Sequence, residues 1–481
     1  MRRSQVQNRV STGAYFSEDT IAAIVTALGG AICVVRISGP KSFAILKSLS
    51  DTKAAAGSEA RKFHRIALHD LSGTSIDDAL FVRFVSPESY TGEDVVEFHL
   101  HGGSYIALKL METLAEAGAR QALPGEFSFR AVKNGKLSLS QAQAVADLIA
   151  ASSDGAITLA LEKLEGSQVR LIVGLAEDLR QIVMLSEASI DFSDQDLEEF
   201  GLPSLKARLL PVLEALRLLE SSYDRGVRVQ DGVKVAFVGL PNAGKSSFFN
   251  ALLGEERSIV ASQAGTTRDI IREHLSLRGN HGKVTLRLED TAGLRYSTDD
   301  VESQGIERSR RASQDADLVI LIVDSSSFIA DPKHSFAAVQ EQWAVLGAPK
   351  QKTLGILSKT DLIDPETVLV CQNHLQTLGL GPWILTSAKD HRGIHESVQA
   401  ITGFCENWLT RAKGEVLLTR LDQKEAVSLS LDHIKRAMAA SEVALFASDL
   451  RQALHALALL IGETVPDDIL NRIFSQFCIG K

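Results

Sequence analysis

Cysteine is scarce in this sequence of 481 residues. The four cysteines, Cys33, Cys371, Cys405 and Cys478, lie far apart and form no C-x-x-C pair. This spacing excludes a disulfide framework and a zinc knuckle, and it is typical of proteins from a reducing compartment.

An excess of positive charge is also missing, because the formal net charge is -9. A broad basic surface for nucleic acid is therefore excluded. Any contact with nucleic acid needs a local patch or a partner protein.

Long apolar runs are missing as well. The longest, residues 22–35, is too short to cross a bilayer and is interrupted by Gly29 and Gly30. We expect no signal peptide. Residues 1–17 are basic and lack acids, as in organelle transit segments, but so short a stretch is more typical of a variable bacterial N-terminus. We therefore expect a cytoplasmic protein that does not associate with a membrane.

What is present is enough hydrophobic material, 45% of residues, for roughly three domains of ~150 residues. Residues 1–135 alternate short β-type runs with one helical pattern, which predicts an α+β domain. Residues 136–228 are rich in alanine and leucine at helical spacing, and helices return over 405–481. Between them, residues 229–404 alternate strands and helices. The sequence therefore predicts a multidomain α/β protein in which a P-loop domain with a doubly wound, mostly parallel sheet interrupts a discontinuous all-α domain.

The strongest local motif is "GLPNAGKS", residues 239–246, which follows a predicted strand and precedes a helix. This is a G-x-x-x-x-G-K-S phosphate loop, whose backbone N–H groups surround phosphates at a helix N-terminus. Lys245 is expected to reach the β- and γ-phosphates, and the Ser246 hydroxyl is expected to ligate Mg²⁺.

Four further motifs follow in the order found in Ras-like G domains. In "AGTTRD", Thr267 is the candidate for Mg²⁺ and the γ-phosphate; in "DTAG", Asp290 is the Walker-B-type carboxylate and Gly293 offers its N–H to the γ-phosphate. In "SKTD", Asp361 would accept the two guanine N–H groups, and in "TSAK" the Ala388 N–H would meet guanine O6. These contacts select GTP over ATP.

The full set of predicted nucleotide-binding residues spans all five motifs. It comprises Asn242, Ala243, Gly244, Lys245, Ser246, Ser247, Ala261, Ser262, Gln263, Ala264, Gly265, Thr266, Thr267, Asp290, Thr291, Ala292, Gly293, Ser358, Lys359, Thr360, Asp361, Ser387, Ala388 and Lys389.

The sequence departs from the usual G-domain pattern at two positions. Ser358 stands where GTPases normally have Asn, and a serine replaces only part of the bridging done by an amide. Leu294 stands where Ras-like proteins place the Gln that orients the attacking water. Another residue must do this, and the acidic candidates are Asp299, Asp300, Glu302 and Glu307.

With these motifs the chain resembles the MnmE (TrmE) family of tRNA-modification GTPases over nearly its whole length. The resemblance includes "DTIAAI…RISG", "SYTGEDVVEFHLHGG", "PGEFSFRAVKNGKLSLSQAQAVADLI", "IVASQAGTTRDIIREH", "DTAGLR…VESQGIER" and the terminal "DDILNRIFSQFCIGK".

The resemblance implies a GTP hydrolase that helps to install an aminomethyl or carboxymethylaminomethyl group at C5 of the wobble uridine (U34) of certain tRNAs. Its partner would be the FAD-containing protein MnmG (GidA), which also uses NADH, in a heterotetramer. The carbon would come from 5,10-methylene- or 5-formyl-tetrahydrofolate bound by the N-terminal domain. The family forms a homodimer through that domain, and its G domains close on each other with GTP and K⁺.

The resemblance also implies particular site residues. Folate contacts fall on Arg36, Glu97, Lys136 and Lys481. Potassium contacts fall on Asn242, Ala261, Gln263 and Thr266. The catalytic acid falls on Glu302.

The chain ends in Phe477-Cys478-Ile479-Gly480-Lys481, and an apolar end of this kind is expected to be buried instead of frayed. In the family this end lies at the folate site. Two roles for Cys478 stay open: a thiolate nucleophile whose pKa Lys481 lowers, or a small residue that lines the pocket.

Two other functions compete with this one. A regulatory G protein, such as a ribosome-assembly switch, should carry a basic RNA-binding appendage, and the helical tail is not basic. An organellar homologue of the same enzyme would differ only at the N-terminus.

Overall fold

The computed structural model describes residues 18–50, 58–191, 201–255, 273–279, 282–288, 310–329, 331–347, 349–380, 383–410, 414–461, 470, 473–475, 477 and 480. The chain divides into two compact units. The first comprises Met1–Ala146, Lys163–Glu214 and Ala426–Lys481, and the second comprises Asp147–Glu162 and Ala215–Glu425.

The strands are β1 (Ile21–Ile24), β2 (Ile32–Ser38), β3 (His64–His69), β4 (Ser75–Phe84), β5 (Val95–His101), β6 (Arg120–Gln121), β7 (Val233–Val238), β8 (Glu273–Gly279), β9 (Gly282–Leu288), β10 (Leu318–Asp324), β11 (Thr353–Ser358) and β12 (Ile384–Leu385). The helices are α1 (Ser42–Ser48), α2 (Ser104–Glu116), α3 (Glu126–Lys133), α4 (Leu139–Ala150), α5 (Asp154–Leu164), α6 (Ser167–Asp191), α7 (Leu202–Ser221), α8 (Tyr223–Asp231), α9 (Lys245–Glu255), α10 (Pro332–Leu346), α11 (Pro365–Gln376), α12 (Ile394–Leu409), α13 (Leu421–Ala439) and α14 (Val443–Ile461).

The first unit contains a 6-stranded sheet in the order β3-β4-β5-β2-β1-β6. Neighbouring strands are antiparallel, except that β6 runs parallel to β1. Because successive side chains on a strand point to opposite faces, Val35, Ile37 and Phe98 lie on one face. There they form a core with Leu46 of α1 and Leu110 of α2.

The other face of this sheet carries polar groups. Arg36 on β2 lies directly opposite Glu97 on β5, and His99 follows on the same side of β5. Two large apolar side chains on this face stay exposed, Ile32 at 63% and Leu80 at 44%. We refer to the face formed by these five residues as the outer sheet face.

Helix α14 supplies much of the helical core of the first unit. It contains an 18-residue stretch, Val443–Leu460, that is long and apolar enough to cross a membrane by length and composition among the described residues. It packs along α6 and buries Phe446, Leu450 and Leu457 completely. This one-sided burial is the pattern of an amphipathic core helix.

The second unit contains a 6-stranded sheet in the order β12-β11-β10-β7-β9-β8. All neighbours are parallel except β8 and β9, which pair antiparallel at the edge. Helices α9 and α12 pack on one face, and α10 and α11 pack on the other. The doubly wound, mostly parallel sheet and the multidomain α/β class are therefore confirmed.

The two units divide the chain at positions other than the predicted boundaries, because residues 147–162, 215–228 and 405–425, predicted in the helical domain, belong to the second unit. The division into residues 1–135, 136–228, 229–404 and 405–481 stays a prediction.

Candidate functional site: a guanine-nucleotide site and an N-terminal pocket

The phosphate loop connects the end of β7 to the first residue of α9. Gly239 is required there, because a Cβ at this position would lie 2.3 Å from the carbonyl oxygen of Ile322 on β10. Asn242 and Gly244 have left-handed backbones, with φ of 61° and 93°. The loop thus passes close to the neighbouring strand and turns its backbone toward the helix N-terminus, which is the arrangement that binds phosphate.

Lys245 begins α9 and folds back over its own loop. Its Nζ donates to the carbonyl oxygens of Gly239 at 2.9 Å and Leu240 at 3.0 Å. Burial lowers the pKa of Lys245. A bound phosphate would offer this ammonium a full negative charge in place of two neutral carbonyls.

A cavity of about 300 Å³ lies beside the loop. It is lined by Gly244, Ser247, Phe248, Ser358, Lys359, Asp361, Leu362, Thr386, Ala388 and Lys389. The structure therefore brings three predicted motifs, "GLPNAGKS", "SKTD" and "TSAK", to one place.

Three lining residues were not predicted. Phe248 and Leu362 each adjoin a predicted contact residue, and Thr386 begins "TSAK". Their side chains are not the polar groups that identify a nucleotide-binding motif. Only their position beside predicted contact residues indicated that they could line the cavity.

Hydrogen bonds tie the two base-side loops to each other and to β10. Thr360 donates from its backbone N and its Oγ1 to Thr386 O, both at 3.1 Å. Lys359, with φ of 56°, places its Nζ 2.7 Å from Asp324 Oδ2. Ser358 Oγ lies 2.6 Å from Ala243 O, so the serine keeps a bridge to the phosphate loop. Because the neighbouring residues are held in this way, the cavity wall is preorganised.

The remaining predicted nucleotide residues differ in exposure, and many of them lie outside the described residues. Asn242 and Ser246 are exposed, whereas Ala243 and Ser387 are buried. Outside the described residues lie Ala261, Ser262, Gln263, Ala264, Gly265, Thr266, Thr267, Asp290, Thr291, Ala292, Gly293 and Glu302.

In the first unit, Arg36 and Glu97 form an ion pair on the outer sheet face. Arg36 Nε donates to Glu97 Oε1 at 2.8 Å, and the side chains are 21% and 17% exposed. The guanidinium lies over the rings of Tyr90 and Phe127, 5.6 Å and 5.5 Å from their centroids. Phe127 is completely buried and Tyr90 is half-buried, so the rings hold the guanidinium in place, and the partly exposed ion pair can bind the polar edge of a ligand.

Sequence patterns do not single out His99 as a residue of the folate site. Its Nε2 is buried without a hydrogen-bond partner in the described part of the chain. Glu97 Oε2 is 3.7 Å away, beyond hydrogen-bond distance. A buried ring nitrogen without a partner beside a carboxylate marks this end of the pair as a place for a ligand atom.

The predicted Lys136 is exposed and adjoins the loop that carries Tyr90. A Cβ at Gly92 would lie 3.3 Å from Lys136 Cγ. Its position is compatible with a contact at the rim of the same pocket. Lys481 and Cys478 lie outside the described residues.

A buried ionic network lies in the same N-terminal part of the first unit. Arg130, 2% exposed, donates to Glu126, Asp19 and Glu93 at 3.0, 3.0 and 3.1 Å. Arg120 bonds Asp19 and Glu126, and these hydrogen bonds raise the pKa of Arg120. Buried charges of this kind are tolerated only when paired, and removing one partner typically costs ~3–5 kcal/mol.

The end of the chain packs into the first unit, as its apolar residues predict. Phe474 contacts the ring of Phe129 edge-on at 5.5 Å, and Phe477 is 9% exposed. A Cβ at Gly125 would lie 2.7 Å from Phe474 O, and one at Gly480 would lie 2.6 Å from Ile24 O. The tail therefore reaches the end of β1, the strand paired with the one that carries Arg36.

The described residues contain no group of three His, Cys, Asp or Glu side chains that could hold a metal ion. Burial raises the pKa of Cys371 to about 11 and that of Cys405 to about 12. Together with the buried Cys33, these thiols are small core residues.

Comparison with known proteins gives matches over the whole chain. The model "GTP-binding protein TrmE N-terminus" matches residues 20–136, and the model "MnmE helical domain" matches residues 139–478. A "tRNA modification GTPase MnmE" from Dichelobacter nodosus (strain VCS1703A) is 39% identical over 97% of this chain and 100% of its own. Its counterpart from Protochlamydia amoebophila (strain UWE25) is 36% identical over 97% of this chain and 98% of its own. Among solved structures, the G domain of the T. maritima FeoB iron transporter is 27% identical, covers 37% of this chain and 99% of its own, and has a TM-score of 0.24.

Proposed function

The chain belongs to the MnmE (TrmE) family of tRNA-modification GTPases, and we propose that it acts at C5 of the wobble uridine (U34) of certain tRNAs. It is a GTP hydrolase in tRNA modification. The observation that carries the proposal is one chain with a preorganised nucleotide cavity in its second unit and a partly exposed Arg36–Glu97 ion pair on the outer sheet face of its first.

GTP is bound, in this proposal, by the loop at residues 239–246 and by the cavity beside it. Lys245 and the α9 N-terminus hold the phosphates, and Ser246 with Thr267 ligates Mg²⁺. Asp361 and the Ala388 N–H read the guanine edge. The position of Ser246, an exposed residue in the first turn of α9, supports this role.

Hydrolysis is proposed to use Glu302 to position the water and K⁺ to stabilise charge in the transition state. Asn242 would hold the ion with its side chain, together with Thr266 and the main-chain oxygens of Ala261 and Gln263. A cation at this place supplies the charge that an arginine finger supplies elsewhere.

The pocket around Arg36 and Glu97 is proposed to bind a tetrahydrofolate, either the 5,10-methylene or the 5-formyl form, which supplies a one-carbon unit. The residues fit such a group. The half-buried Tyr90 can contact a flat ring, and Glu97 can accept its N–H donors. The His99 ring nitrogen, buried and without a hydrogen-bond partner in the described part of the chain, offers a further polar contact. Lys136 and Lys481 would complete the contacts at the rim, and Cys478 would lie nearby as nucleophile or lining residue.

The partners are proposed to be a second copy of the chain, tRNA and the FAD-containing protein MnmG (GidA). Two copies each of the chain and of MnmG would form a heterotetramer in the cytoplasm, and MnmG would use NADH. The exposed Ile32 and Leu80 on the outer sheet face support a homodimer through the N-terminal domain, because a dimer would remove them from water. The formal net charge of -9 supports a model in which a partner protein helps this chain to bind tRNA.

The test is mass spectrometry of wobble uridine from cells that lack this protein, complemented with variants. The wild type and Arg65→Ala, a control at a surface arginine 79% exposed, should restore the modified nucleoside. Arg36→Ala should not restore it, although its purified protein should still hydrolyse GTP. Unchanged nucleosides in the deletion strain would exclude the modification and favour a regulatory G protein.

A further inference from the structure

Ser358 connects two parts of the nucleotide site. It is the last residue of β11 and is 5% exposed. Its Oγ lies 2.6 Å from Ala243 O in the phosphate loop and 3.1 Å from Val323 O on β10. We propose that Ser358 is a positioning residue that holds the phosphate loop in place and takes no part in reading the guanine base.

Hydrogen-bond capacity is the first reason. A serine hydroxyl donates one proton, whereas an asparagine amide donates two. The nearer acceptor, Ala243 O, takes the single proton of Ser358, and Val323 O competes for the same proton. No donor is left for a ligand. An asparagine could hold the loop and keep one N–H for the base.

The direction of the side chain is the second reason. A Cβ at Gly244 would lie 3.3 Å from Ser358 Oγ, so the hydroxyl lies directly against the loop backbone. Because Gly244 has φ of 93°, the loop can pass this close only with glycine. Although Ser358 lines the cavity, its hydroxyl is therefore directed toward the backbone of the phosphate loop.

This inference rests on the guanine contacts given under the proposed function, in which the base is read along one side only. Asp361 accepts from its two N–H groups and Ala388 donates to O6, while N7 receives no hydrogen bond from residue 358. The protein should therefore tolerate removal of N7. Replacing Ser358 by Asn should create sensitivity to N7.

The experiment measures Kd for GDP and for 7-deaza-GDP by competition with a fluorescent GDP analogue on the full-length protein. We expect the wild type to bind both within about twofold. Ser358→Ala should weaken both by about five- to tenfold, the loss expected for one hydrogen bond to a buried acceptor, with their ratio unchanged. Ser358→Thr keeps the hydroxyl and should recover most of the affinity. Ser358→Asn should bind GDP about fivefold more tightly than 7-deaza-GDP.

Two results would overturn the inference. If wild type binds 7-deaza-GDP at least fivefold more weakly and Ser358→Ala removes that difference, Ser358 reads the base. If Ser358→Ala leaves both Kd values unchanged, the hydroxyl does not hold the loop. Thermal unfolding of each variant, compared with wild type, identifies any loss that comes from a damaged fold.

Discussion

Single side chains in the second unit have roles that depend on what surrounds them. Asp361 lies in the wall of the nucleotide cavity, whereas Asp324, on the neighbouring strand, is paired with Lys359 at 2.7 Å. The same type of group is thus available to a ligand at one position and committed to the protein at the other.

Asp361→Asn should change the base preference of the protein. The amide cannot accept both guanine N–H groups, but it can donate to the C2 carbonyl of xanthine. We expect GTP affinity to fall by about 100-fold or more, since two charge-assisted hydrogen bonds are lost, and xanthosine triphosphate to bind better than GTP. Binding assays with both nucleotides check this. A variant that still prefers GTP would place guanine recognition elsewhere.

Glu302→Ala should lower the GTP hydrolysis rate by about 10²-fold or more with little change in nucleotide Kd, because a water-positioning group acts mainly in the transition state. Single-turnover hydrolysis and equilibrium binding separate the two effects. Asp299→Ala and Asp300→Ala are the matched controls. If one of these controls stops hydrolysis and Glu302→Ala does not, the assignment to Glu302 is wrong.

At the level of elements, the strand–loop–helix segment of β7, the phosphate loop and α9 works through backbone geometry. The loop fits against β10 because Gly239 has no side chain. Helix α9, in contrast, contains Gly254, where a Cβ would meet nothing within 4 Å. A side chain at Gly239 would therefore clash with β10, whereas a side chain at Gly254 would not.

Gly239→Ala should displace the loop, because the new Cβ would clash with Ile322 O at 2.3 Å. We expect weaker nucleotide binding and a lower free energy of unfolding, by about 1 kcal/mol or more. Gly254→Ala should keep nucleotide affinity and raise the free energy of unfolding by about 0.5–1 kcal/mol, since alanine favours a helix interior. Equal behaviour of the two variants in denaturant titration and nucleotide binding would contradict the close approach of loop and strand.

At the level of the whole molecule, the nucleotide cavity and the N-terminal pocket are built from different units of the chain. Each contains its own sheet and its own core. GTP hydrolysis and tRNA modification should therefore be separable by mutation.

GTP hydrolysis should require potassium. An arginine finger is worth ~10³–10⁵ in rate, and a monovalent cation held by Asn242 would act at the same place, so the effect should be large. Hydrolysis rates measured in K⁺ and in Na⁺ at equal ionic strength check this. Equal rates would remove potassium from the mechanism.

Deleting residues 478–481 should abolish tRNA modification while GTP binding and potassium-stimulated hydrolysis stay measurable. The reason is that the described tail packs in the first unit, beside Ile24, whereas the nucleotide cavity lies in the second. Nucleoside mass spectrometry and GTPase assays on the same truncated protein give both readouts. Normal modification by that protein would mean that the tail is structural only.

Cys478→Ser then distinguishes the roles of the thiol. Lost modification with intact folate binding would support a nucleophile, and full activity would exclude one.

Much of this protein could be predicted from the sequence alone. The phosphate loop, the guanine motifs, the doubly wound sheet and the family depend on residue types at fixed short spacing, and such patterns are local. The helical character of α6 and α14 follows likewise from periodicity within one segment. The short strands β1, β3 and β6 have only weak local signals, because β1 merges with an apolar run and the other two lack strong strand residues.

Only the tertiary structure decided which distant residues meet. Ser358 and Ala243, 115 positions apart, share a hydrogen bond, and Arg130 and Asp19, 111 positions apart, share a buried network. No local pattern encodes these pairs, since each results from strand order and from the close approach that glycines allow. The same holds for the ring nitrogen of His99, which lacks a hydrogen-bond partner among the described residues because it is buried on the sheet. Sequence thus determined the chemistry that the chain carries, and packing determined which groups stay free to use it.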